Sequence, residues 1–133
     1  MKEFTDMMDV EIRNIKRFST MVEETLSIIS IYTGEQVTLT EELENGSKGS
    51  VCVKGYSIDM TLTIPLCLEI KVHDNTTKPK QIFKMINMYG NMTSLADHNL
   101  MIKYELAPLY RLITDYWYKW YDKTWNAPYE TEP

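Results

Sequence analysis

Apolar residues recur at Phe4, Met8, Ile12, Ile15, Phe18, Val22, Leu26 and Ile29, in steps of three and four. That spacing lays them along one stripe of an α-helix. Glu11, Arg13, Lys16, Arg17, Glu23 and Glu24 fall on the opposite side. Asp6 and Asp9 lie near the positive end of the helix dipole, and Gly34 follows as a stop. The pattern predicts a long helix from about Thr5 to Tyr32, roughly 42 Å at about 1.5 Å per residue. A compact domain of this chain length is about 30 Å across. The helix must therefore break or project, and a projecting apolar end would invite a second subunit.

The period then shortens to two. Val37 and Leu39 alternate with polar neighbours, as do Val51 and Val53. Between them, Glu41 to Ser50 contains Asn45-Gly46 and Lys48-Gly49 and reads as a turn or mobile loop. Gly55 and Tyr56 mark a tight turn. The strongest alternation follows: Ile58, Met60, Leu62, Ile64, Leu66, Leu68, Ile70 and Val72 share one parity. Asp59, Thr61, Thr63, Pro65, Cys67, Glu69 and Lys71 share the other. One face of this strand is apolar and the other polar, as in an antiparallel sheet covered on one side. Pro65 lacks an amide hydrogen and predicts an edge position or a bend that preserves the faces.

Helical spacing is expected to return at Ile82, Phe83, Ile86 and Tyr89, with Thr77 as N-cap and Gly90 as stop. Ser94 to Asp97 resembles a capping box that opens a third helical stretch, Leu95 to about Lys123. Pro108 interrupts that stretch and predicts a kink or break near Ala107. The expected fold is α+β: a long N-terminal helix, a three-stranded antiparallel sheet covered on one face by helices, and broken C-terminal helical segments. Residues 1–125 form the single domain, and 126–133 a frayed tail.

The C-terminal helix changes the functional picture. All three tryptophans lie there, with several tyrosines: Tyr110, Tyr116, Trp117, Tyr118, Trp120, Tyr121 and Trp125. Their arc is wider than one sheet contact needs. Tyr110, Trp117, Tyr118, Trp120, Tyr121 and Trp125 are therefore the candidate protein interface, because aromatic rings bury much area with few rotors. A set of cations, Lys78, Lys80, Lys84 and Arg111, is the candidate anion site; Lys80 and Lys84 would share one helical side.

Composition narrows the classes. The chain has 133 residues, enough for one domain, and a formal charge of -5. That charge disfavours nucleic acid and anionic membrane as partners. No stretch is long and apolar enough to span a bilayer, and no signal sequence opens the chain, so a cytoplasmic protein is expected. Two cysteines, Cys52 and Cys67, and two histidines, His73 and His98, show no metal-ligand spacing, and no cofactor motif is present. The expectation is a noncatalytic protein-binding module, an inhibitor, adaptor or chaperone-like protein, assembled as a homo-oligomer through its aromatic helix. The alternatives are a pocket for a small anionic, nucleotide-like ligand between subunits, and an enzyme using His73 or His98 in acid–base chemistry.

Overall fold

The computed structural model describes residues 2–64 and 66–122, with side chains from residue 13 onward. The side chains of Phe4, Met8 and Ile12, together with Pro65, Trp125 and the expected 126–133 tail, lie outside the described residues. Helix α1, Lys2–Thr33, is one unbroken helix of 32 residues, about 48 Å at roughly 1.5 Å per residue. It ends where Gly34 takes φ +75 and donates its N–H to the Ser30 carbonyl. That is the left-handed stop its sequence announces. The buried stripe of α1 runs through Phe18, Met21, Val22, Thr25 and Ile29, while Ile15 and Ile31 are exposed.

Among the described residues the sheet has six strands, not three. They are β1 (Glu41–Leu43), β2 (Gly46–Val53), β3 (Tyr56–Thr63), β4 (Cys67–Asp74), β5 (Gln81–Met88) and β6 (Asn91–Ala96). All neighbours are antiparallel and the spatial order follows the chain. The period-two segment at Val37 and Leu39 forms no strand, since residues 36–40 have no regular secondary structure. The extra strands come from segments that the sequence predicts as one strand, a loop and a helix. The expected single long strand is the hairpin β3–β4, which reverses between Thr63 and Cys67. Its register pairs Ile58 with Val72, Met60 with Ile70 and Leu62 with Leu68. Even positions meet even positions across this turn, so the apolar parity runs straight through the reversal and disguises it.

The expected loop at 41–50 is β1 plus the start of β2, with Glu44 and Asn45 between the paired residues Leu43 and Gly46. The expected helix over residues 77–90 is β5 and its turn. Phe83, Met85 and Asn87 face the core. The register shifts between Val72 and His73, where Gln81 pairs with His73 and Phe83 with Val72. This bulge turns Ile82 into the core beside Phe83, and two adjacent buried residues imitate helical spacing. Tyr89 and Gly90 then reverse the chain with φ +53 and +86. Positive φ at both central residues is what a two-residue type I′ hairpin requires. Asn87 Oδ1 accepts the Gly90 N–H and holds the turn.

Beyond β6, Asp97 caps α2 (His98–Lys103) by accepting the Leu100 N–H on Oδ1. The chain breaks at Glu105, φ +55, and resumes as α3, Ala107–Trp120, with Pro108 in its first turn. A proline there loses no helical hydrogen bond, so the break near Pro108 falls where its chemistry places it.

One face of the sheet carries the core. A single row crosses five strands through Val51, Ile58, Val72, Phe83 and Ala96. The next row holds Met60, Ile70 and Met85. These join Phe18, Met21 and Ile29 of α1 and Leu109, Ile113 and Trp117 of α3 in one hydrophobic cluster. Each large aliphatic side chain so buried contributes about 1.5–3 kcal/mol. The opposite face is polar: Asp59, Glu69, Lys71, His73 and Lys84 stand on it by register. Cys52 and Cys67 are also on that face, both free, on β2 and β4 with β3 between them.

Candidate functional site: the β6 edge and its cleft

A sheet that runs in chain order has its first and last strands as edges. The two differ sharply. Edge β1 is only three residues long and carries Glu41 and Glu42. Glu41 also meets Lys48 at 3.4 Å. Short length and charge are the usual defences of a strand edge. Edge β6 is six residues, Asn-Met-Thr-Ser-Leu-Ala, with no charge and no proline. Among the described residues it pairs with β5 alone, and Leu95 is 69% exposed on the polar side of the sheet.

A cleft of about 560 Å³ lies along this edge. Strand β6 supplies Ser94, Leu95 and Ala96; helix α2 supplies His98 and Met101; helix α3 supplies Ala107, Tyr110, Arg111 and Thr114. The turn of α3 at Leu109 and Ile113 is anchored in the core, which sets Tyr110 and Arg111 along the rim. Tyr110 stacks edge-on against Phe83 with ring centroids 5.4 Å apart. Its hydroxyl shares a hydrogen bond with Ser94 Oγ. Thr114 Oγ1 donates within α3, at 3.0 Å to the carbonyl oxygens of both Tyr110 and Arg111. The neutral polar groups of the cleft are thus already bonded. Arg111 has no carboxylate partner, and His98 no hydrogen bond or ion pair, among the described residues.

The aromatic candidates divide. Trp117 and Trp120 are core residues: Trp117 is 1% exposed and Trp120 stacks edge-on with Phe18 at 6.1 Å. Trp117 Nε1 donates to Thr25 Oγ1 at 2.9 Å, and Thr25 in turn donates to the Met21 carbonyl at 2.7 Å. This buried chain fastens α3 to α1. Tyr121 packs partly against the same core, and Tyr110 borders the cleft. Tyr118 is 59% exposed. Burial, followed by the neighbouring Glu24, raises the Tyr116 hydroxyl well above the ordinary tyrosine range.

The cation candidates do not form one site. Lys78 and Lys80 lie exposed in the segment before β5. Lys84 is on the polar sheet face, 3.8 Å from Glu69, which Lys71 also meets at 3.3 Å. Arg111 belongs to the cleft. The expected four-residue pairing of Lys80 with Lys84 lapses because the segment is a strand. The histidines are likewise separated. His73 Nδ1 is 3.4 Å from Asp59 Oδ2 on the polar face, whereas His98 lines the cleft.

At the other end of the sheet, Asp74 is buried and accepts the Lys80 N–H at 2.8 Å and the Thr76 hydroxyl at 2.9 Å. The backbone hydrogen bond from Lys80, more than any other contact, holds its carboxyl below the usual range. These bonds close the loop before β5. Asn75 braces the same corner by donating Nδ2 to the Val53 and Tyr56 carbonyls.

No group of His, Cys, Asp and Glu among the described residues could hold a metal ion. None of the described helices is long and apolar enough to cross a membrane. Comparison with protein-family models, curated protein sequences and solved structures returned no match.

Sequence reasoning singled out Tyr110 and Arg111 but missed the β6 edge, because Ser94 to Asp97 reads as a capping box that opens a helix at Leu95. The local signal is weak: Met92 and Ala96 share the core-side parity, but Ser94 lies between them and Leu95 falls on the polar side.

Proposed function

We propose that this protein is a noncatalytic binding module that captures an extended polypeptide segment by adding it as a seventh strand beside β6. The observation that carries the reading is the contrast of edges: β1 is short and acidic, whereas β6 is long, uncharged and bordered by a cleft. Backbone hydrogen bonds to an open edge supply affinity, and pockets for alternate side chains supply selectivity. An inhibitor or adaptor role is consistent with such a surface.

A second reading keeps the same edge and makes the occupant another copy of the chain. The lack of charge on β6 leaves nothing in the strand to repel its twin. A two-fold axis through the paired edges would have to place core-side residues opposite core-side residues. Only registers centred on a residue, such as Thr93 or Ser94, do that.

The test is a double substitution, Thr93→Lys with Leu95→Lys, which installs the charge that natural edges use for protection. Both residues are exposed, so thermal stability should stay near that of the parent. Peptides selected from a displayed library of random twelve-residue sequences should lose binding to the double variant. Selected peptides that bind both proteins equally would refute strand addition.

A further inference from the structure

We infer that the segment captured at β6 is acidic, with a carboxylate seated between Arg111 and His98. This rests on the strand-addition reading and specifies its partner. Every neutral polar side chain on the α3 wall is already satisfied: Tyr110 with Ser94, and Thr114 with the carbonyls of Tyr110 and Arg111. The groups left to recognise an occupant are the Arg111 guanidinium and the His98 imidazole. Among the described residues, neither has an acidic partner and no Asp or Glu lines the cleft.

An arginine presents a planar fork of donors that matches a carboxylate in two parallel hydrogen bonds. The cation lines the same cleft as Ser94–Ala96, so a strand laid along β6 would carry its acidic side chain past that cleft. Charge complementarity also distinguishes the occupants. A second copy would offer β6 itself, which brings no carboxylate. An acidic peptide supplies the missing counter-charge.

The experiment uses fluorescein-labelled nine-residue peptides of alternating Thr and Val with a single Glu scanned through the positions, each paired with its Gln twin. Binding is read by fluorescence anisotropy against the full chain. At one position the Glu peptide should bind roughly tenfold more tightly than the Gln peptide, the low end for an exposed charge-assisted bond. Arg111→Gln should bring that pair to one affinity without moving the melting temperature, because Arg111 is exposed. Equal binding of Glu and Gln peptides throughout would overturn the acidic-segment inference and leave strand addition standing. No peptide binding, with a dimer that Leu95→Lys dissociates, would overturn the inference in favour of a second copy. No peptide binding and a monomeric protein would overturn both.

Discussion

Replacing Thr25 with valine tests whether the aromatic helix is a core element before it is anything else. The change is nearly isosteric. It removes the acceptor that lies 2.9 Å from Trp117 Nε1 and the donor that lies 2.7 Å from the Met21 carbonyl. Thr25 is 0% exposed and Trp117 1%, so water has no direct path to replace the lost partner. A buried donor left unsatisfied costs about 1–3 kcal/mol. Unfolding entropy near 60 °C is about 2.1 cal/mol/K per residue. For 133 residues, a loss of ~2 kcal/mol then lowers the melting temperature by about 7 °C. Thermal unfolding followed by far-ultraviolet circular dichroism measures it. A cycle with Trp117→Phe isolates the bond, since Phe lacks the donor. Once Thr25 is valine, the Trp117→Phe change should cost less than in the parent, by about 0.5–3 kcal/mol of coupling. A Thr25→Val protein that melts within about 1 °C of the parent would refute the reasoning, because that corresponds to only ~0.3 kcal/mol.

Other consequences follow from the packing and the loop carboxylate. A Cβ on Gly49 would lie 2.2 Å from the Thr38 carbonyl oxygen, so Gly49→Ala must displace backbone. It should cost about 1–3 kcal/mol, read by urea denaturation. The Asp74 carboxyl titrates below its unfolded value. Its stabilisation is therefore fully present above the unfolded pKa, near 3.9, and is lost as pH falls through the lower folded value. Asp74→Asn should be less stable than the parent at neutral pH and show a shallower loss of stability below about pH 4. Parallel acid-unfolding profiles would contradict that role.

Much of the architecture was legible because local chemistry and tertiary demand agree there. The α1 stripe follows from apolar steps of three and four, its stop from Gly34, which tolerates φ +75, and the break near Pro108 from a ring that fits only the first turn of a helix. The strands at 58–72 were legible as one apolar face but not as two strands. Parity is conserved across a turn that pairs even with even positions, so periodicity alone cannot locate the reversal. Strand β5 was hidden by its bulge, which buries Ile82 beside Phe83. On the aromatic helix, the sequence shows a wide arc but not which part is covered. That depends on Thr25, 92 residues away in the chain, which draws Trp117 into the core. The site was half visible: Arg111 and Tyr110 stood out by type, while the edge beside them depends on a sheet order that no local pattern encodes.

Amide hydrogen exchange, residue by residue, tests the central claim most directly. In the free protein the outward-facing amides of β6 should exchange rapidly while those of β3 and β4 stay protected. Addition of the tightest acidic peptide should slow exchange across Asn91–Ala96 at alternate residues, the signature of one new antiparallel or parallel ladder. Protection that appears instead on the exposed side of α3 around Tyr118, with β6 unchanged, would contradict the account.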